Sequence, residues 1–231
     1  MNTRILSIAA VAALASTQSF AMNQSDWSVS AAYGILMPVD SKSTTWTGFN
    51  VASGTNSTTT IAAGTEVKQK NVNFYDVSLN HVKSGFGVMY SATAKDGKFE
   101  LTDTAEAAHL DTGELSWKYN GVFATYNHPL GQMLDMNIAV GSVKQTFGYS
   151  LPATSVSKRD LGARVGIGAF YNLSKEAALK LGLSYHYFKE FKQVLANADY
   201  QNTDAKGTLE TVTPDFNASG LAASVALVYT M

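Results

Sequence analysis

Cysteine is absent from the sequence, so no disulfide staple is available and an exported form must be held by its own hydrogen-bonded framework. Charge is scarce: Asp, Glu, Lys and Arg make up 15% of the chain, against roughly 25% in ordinary soluble domains. The formal net charge is −1, which offers nothing to nucleic acid or to an anionic membrane surface. Beyond the first 21 residues no apolar run is long enough for a transmembrane helix. What is plentiful is Gly, Ser, Thr, Asn and Tyr.

The opening "MNTRILSIAAVAALASTQSFA" carries a basic residue, Arg4, then an apolar run from Ile5 to Ala15. Ser19 and Ala21 place small residues where a signal peptidase reads. The run is too short to span a bilayer, and the pattern predicts a removed secretory signal over residues 1–21. Residues 22–231 are expected to form one domain.

The mature chain alternates large and small side chains in eight segments. "DWSVSAAYGILMP" sets Trp27, Val29, Tyr33, Ile35 and Met37 against Ser28, Ser30, Ala32 and Gly34. "FYDVSLNHV" sets Tyr75, Val77 and Leu79 against Asp76, Ser78 and Asn80, and "FGVMYSATA" sets Phe86, Val88 and Tyr90 against Gly87, Met89 and Ser91. In "ELSWKYNGVFATYN" the large series reads as Leu115, Trp117, Tyr119 and Phe123, facing away from Glu114, Ser116, Lys118 and Asn120. The segments starting at Leu134, Leu161, Leu179 and Ser219 repeat the pattern, the last running to Met231. Period two, repeated this often, predicts an all-β domain.

The connections alternate in length. "KSG", "HPLGQ" and "NLSKE" are short, whereas 39–70, 95–111, 146–158 and 189–215 are long. Short periplasmic turns opposite long extracellular loops are the mark of a transmembrane barrel. With both ends in the periplasm, Trp27, Phe86, Tyr171 and Tyr229 fall at one rim. Tyr75, Tyr90, Trp117, Tyr119, Tyr185 and Tyr187 fall at the other. Two aromatic girdles around an aliphatic belt suit the two headgroup levels of a bilayer. The expectation is an eight-stranded antiparallel β-barrel in the outer membrane of a Gram-negative bacterium, bulky face to lipid, small face to a narrow lumen.

In these features the chain resembles the small eight-stranded outer-membrane barrels of the OmpA/OmpX type, from Asp26 to Met231. Such proteins commonly end on an aromatic residue that helps the barrel assembly machinery recognise the last strand; Met231 stands in that place here, with Tyr229 the nearest aromatic. The resemblance implies membrane lipid, lipopolysaccharide and the assembly machinery as partners, and no cofactor. A resemblance to OmpW-type barrels, which pass small apolar molecules, is the alternative.

On the interior series, Asp76, Glu114 and Asp135 balance Lys118, Arg164 and Lys180. Eight strands leave a lumen just wide enough for side chains to fill, so these six are expected to form a salt-bridged plug, since an unpaired charge there is costly. Arg164, flanked by Gly162 and Gly166, has room to cross the lumen toward Asp76 or Glu114. Of the four histidines, His81 and His128 fall near short turns, His109 lies in a long loop, and His186 points inward near Ser184. None sits in a motif of the barrel enzymes, so neither catalysis nor a metal site is expected. Trp46 and Phe49, in a Thr-rich loop able to form a protruding hairpin, are candidates for strand addition by an extracellular partner. The expected role is structural or surface-interacting, carried by the loops, with a narrow solute channel or a lipid-modifying enzyme as alternatives.

Overall fold

A computed structural model describes residues 26–38, 50–53, 57–60, 67–101, 115–150, 153–192, 195–202, 205–212 and 215–231. The expected signal, Trp46, Phe49, His109 and Glu114 lie outside the described residues. Eight long strands form the barrel: β1 (Trp27–Pro38), β2 (Val72–His81), β3 (Phe86–Thr93), β4 (Leu115–Pro129), β5 (Leu134–Ser150), β6 (Ala153–Asn172), β7 (Ala177–Phe188) and β8 (Gly220–Thr230). Each pairs antiparallel with the next, and β8 returns to β1 with Val29 opposite Tyr229 and Met37 opposite Leu221. The ring is therefore closed, and no edge offers unpaired N–H or C=O groups to lipid.

The turns β2–β3, β4–β5 and β6–β7 each take four residues, 82–85, 130–133 and 173–176. At Gly85 the backbone enters the left-handed region (φ 75°); a Cβ there would come within 2.2 Å of the Asn127 carbonyl oxygen. Glycine is the residue that meets both demands. These turns, the start of β1 and the end of β8 share one end of the barrel, the periplasmic end in barrels of this construction.

At the opposite end the strands run further than the alternation suggested. β5 and β6 stay paired up to Ser150 and Ala153, so most of the segment 146–158, expected to be a loop, is a hairpin rising from the wall. Gly97–Leu101 resumes the course of β3 and pairs with the start of β4, Gly97 opposite Trp117. A smaller hairpin joins Asn50–Ser53 to Ser57–Thr60.

The outward face carries Tyr33, Val77, Phe86, Val122, Leu161, Ile167, Val225 and Leu227, all well exposed. A soluble protein does not present a continuous apolar surface of that kind; a closed barrel wearing one is at rest only across a bilayer. Trp27, Phe86, Tyr171 and Tyr229 face outward beside the turn end, and Tyr75, Tyr90, Tyr185 and Tyr187 face outward nearer the other. The protein is an eight-stranded transmembrane β-barrel. Because the ring of hydrogen bonds resists detergent until heated, purified protein is expected to migrate at different positions on a detergent gel before and after boiling. Identical mobility would contradict a closed barrel.

Two of the expected girdle residues and one expected interior charge are corrected. Trp117 and Tyr119 point into the lumen, essentially without solvent contact, and Lys118 points outward, where it pairs with Asp96 at 3.3 Å. The upper part of β4 stands above the apolar belt. Its outward neighbours there are polar, such as Asn120 and Lys144, both exposed, while the lumen at that height must be filled by something large. Phe123, grouped with them in the large series, points into the lumen as well, although outward Val122 beside it is exposed, so the expected facing of β4 is inverted along its length.

Candidate functional site

The lumen is built from unequal contributions. β1 and β8 offer small inner side chains: Ser28, Ser30, Ala32 and Gly34 on one, Ala222, Ser224, Ala226 and Val228 on the other. Longer side chains from β2, β4, β5, β6 and β7 reach across into that space. Phe74 lies over Gly34, where any Cβ would stand 2.5 Å from its Cζ.

Arg164 of β6 crosses to Asp76 of β2, its Nη1 donating to both carboxylate oxygens at 3.0 Å. Nη2 donates to the Tyr119 hydroxyl at 3.1 Å and to the Ser91 hydroxyl. The guanidinium also sits over the Phe123 ring, 4.8 Å from its centroid, and 5.5 Å from that of Phe74. The side chains of the pair are 4% and 15% exposed. A charge so placed is tolerable because it is paired, hydrogen-bonded and set against ring faces. Space at Gly162 and Gly166 is taken by Val143 and Ser184 rather than by the guanidinium.

Between this cluster and the loop end lies an aromatic stack. Phe188 packs 4.8 Å from Tyr119 and 5.6 Å from Trp117, and Phe147 approaches Phe191 at 6.2 Å. Trp117 donates its indole N–H to Gln145 Oε1 at 3.2 Å, and Gln145 Nε2 donates to the Lys189 carbonyl at 2.9 Å. These side chains are buried. Together they fill the lumen at this height.

Toward the turn end the lumen opens. A cavity of about 610 Å³ lies under Arg164 and Asp76 and reaches the turn residues Gly85 and Gly131. Its wall is a relay of amides and hydroxyls. Asn80 donates to Ser78, which bonds Ser30, and Asn80 Oδ1 accepts from Thr125 at 2.9 Å and Asn127 at 3.0 Å. Asn137 then donates to Asn127 at 2.7 Å. Gly87 makes the crossing possible, since a Cβ there would lie 2.2 Å from Asn80 Oδ1. Lys180 and Asp135 form a second ion pair in the same wall, with the ammonium 5.0 Å from the Phe170 ring centroid. Gly168 leaves the room for it: an added Cβ would stand 2.2 Å from Lys180 Cε and 2.5 Å from Asp135 Oδ1.

The structure thus gathers four of the six expected interior charges into two separate pairs, Arg164–Asp76 and Lys180–Asp135. Glu114 is outside the described residues, and Lys118 is on the outer face. Tyr119 and Ser91, both partners of Arg164, were not foreseen, nor was Asp160, which faces Lys158 at 3.1 Å and Lys189 at 3.6 Å. His186 is buried edge-on to Phe74, ring centroids 5.1 Å apart, with Nε2 at 3.0 Å from Ser184 Oγ. Among the described residues its Nδ1 meets no hydrogen-bond partner, so none of them supplies the carboxylate that would orient it as a general base. Among the described residues no cluster of three His, Cys, Asp or Glu is placed to hold a metal ion.

No protein-family model matches the chain, and no curated protein matches it. Among solved structures, the outer membrane protein OprG of Pseudomonas aeruginosa superposes with a TM-score of 0.55 at 12% identity, over 91% of this chain and 98% of that one. The outer membrane protein AlkL gives 0.49 at 15% identity over 93% and 94%. Ail, the attachment invasion locus protein of Yersinia pestis, gives 0.44 at 13% over 90% and 100%. At 12% identity the likeness to OprG is one of fold.

Proposed function

We propose that the protein is a closed, non-enzymatic barrel whose role, structural or surface-interacting, is carried by its outer surface and extracellular loops rather than by its lumen. The observation that supports this most is the plug: Arg164 and Asp76 joined across the lumen beneath the stack of Trp117, Tyr119, Phe147 and Phe188. A path for ions would have to part a buried ion pair and displace several rings. The His186–Ser184 pair, lacking a carboxylate and packed against Phe74, argues against hydrolytic chemistry. In this reading the chain's partners are membrane lipid, the assembly machinery that inserts it, and whatever the loops meet outside the cell.

A narrow channel is the second reading, and the 610 Å³ cavity favours it, because half of a pore is already open. Planar-bilayer recording separates the two. Purified wild-type protein is expected to give no single-channel steps; reproducible steps would favour the channel.

A further inference from the structure

The cavity under the central ion pair is filled above by rings, Phe74, Phe123 and the stack of Tyr119 on Phe188. Below, it reaches the turns at Gly85 and Gly131. Its volume, about 610 Å³, lies within the range of roughly 300–1,000 Å³ common for small-molecule sites. Four charged side chains line it, Asp76, Asp135, Arg164 and Lys180, and they are joined two and two. An entering ion therefore meets no free counter-charge to offset its lost hydration. The rest of the polar wall is amide and hydroxyl, groups that donate and accept alike. Asn80, Asn127 and Asn137 are held in orientation by the relay that joins them. Among the described residues, Asn137 Oδ1 and the hydroxyls of Ser28 and Ser224 form no side-chain hydrogen bond, and an apolar guest would leave them unsatisfied. On β1, β7 and β8 the wall is low, with Ala32, Gly182 and Ala226. At Gly182 an added Cβ would meet only Ser224. Such a wall offers a smooth surface for the C–H face of a ring.

We propose that this cavity is a dead-end binding site for a neutral, polyhydroxylated solute of the sugar type, which enters and leaves at the turn end. A sugar hydroxyl donates and accepts as the wall groups do, so it replaces a wall water without stranding either partner. The two ion pairs, neutral together, turn charged solutes away, and the amides turn apolar ones away. The site goes beyond the surface role proposed above, and it operates without conduction through the lumen.

The test uses the full mature chain in a sugar-free zwitterionic detergent, titrated with trehalose and, separately, with trehalose 6-phosphate, which adds negative charge to the same rings. Saturation-transfer NMR reads the bound sugar. Wild type should bind trehalose about tenfold or more tightly than its phosphate. Asn137→Leu removes a free acceptor and Ser224→Leu fills the cavity, and each should weaken trehalose binding about tenfold, the scale of one lost hydrogen bond. Tyr185→Phe, on the outer face, should change nothing. Heat-dependent gel mobility verifies that each variant is a closed barrel; for one that is not, Ser28→Phe, at the mouth, takes its place. Trehalose should enter vesicles carrying the wild type no faster than protein-free vesicles. Faster entry would contradict both the dead end and the closed barrel, whereas a failure of binding alone leaves the closed barrel standing. No trehalose binding by wild type, equal binding of the two probes, or full binding by the folded variants overturns the proposal.

Discussion

Replacing Arg164 by alanine is expected to lower the unfolding free energy of the barrel by about 3–5 kcal/mol, the usual cost of removing one partner of a buried pair. The lower half of that range is the better expectation, because Asp76 retains contact with the water-accessible cavity below it. The substitution also takes a donor from Ser91 and Tyr119 and a cation from the faces of Phe74 and Phe123. Water entering to solvate the stranded carboxylate would connect the cavity to the space among the rings, so the variant should pass small ions where the wild type does not. Arg164→Ala with Asp76→Ala removes both charges and should recover part of the lost stability, whereas Arg164→Ala with Asp135→Ala should not, since Asp135 belongs to Lys180. Urea unfolding in lipid vesicles and bilayer recording give the two readings. A single variant as stable and as silent as the wild type would mean that the ion pair does not seal the lumen.

Trp117→Ala tests the facing of β4. A tryptophan at a membrane rim can be shortened with modest loss, but one that fills the lumen leaves a cavity, and truncations of that size cost about 3–5 kcal/mol. Trp117 has no solvent exposure, donates to Gln145 and packs on Tyr119 and Phe188, so the large loss is expected. Tyr185→Ala, on the outer face, should cost distinctly less. A spectroscopic reading is independent of stability. The chain has three tryptophans, and with Trp27→Phe and Trp46→Phe in place, the fluorescence of Trp117 should resist quenching both by brominated lipid and by acrylamide. Strong quenching by brominated lipid would return Trp117 to the girdle.

The barrel itself could be read from the sequence because lipid imposes one simple demand along most of each strand: large apolar residues outward, small ones inward. Trp27, Tyr33, Leu181 and Tyr229 obey it, and their strands were placed correctly. β4 departs from it along its whole length, because the lumen around and above Arg164 is itself filled by large rings, Phe123 in the lower half and Trp117 and Tyr119 above. Its lower half has Val122, Ala124 and Tyr126 on one series and Thr125 and Asn127 on the other, which sets Trp117 and Tyr119 with the inward residues. That signal was present but weaker than the pull of two large aromatics. The reach of Arg164 to Asp76 could be anticipated from charge balance within a lumen too narrow for free ions. The open cavity could not, because a void depends on which side chains fail to meet, and no pairwise alternation encodes that. Nor could the hairpin of β5 and β6 above the belt, where polar residues outside and Val143, Gln145 and Phe147 inside resemble an ordinary loop sequence.

The ion pair at the centre of the lumen joins residues 88 positions apart, on strands from opposite halves of the chain. No early hairpin can contain it. Asp76 belongs to the half made of β1 to β4 and Arg164 to the half made of β5 to β8. Bringing Arg164 to Asp76 therefore requires the two halves to stand face to face, as they do in the ring that β8 closes on β1. The charge pair is thus a property of the closed ring and of neither half alone.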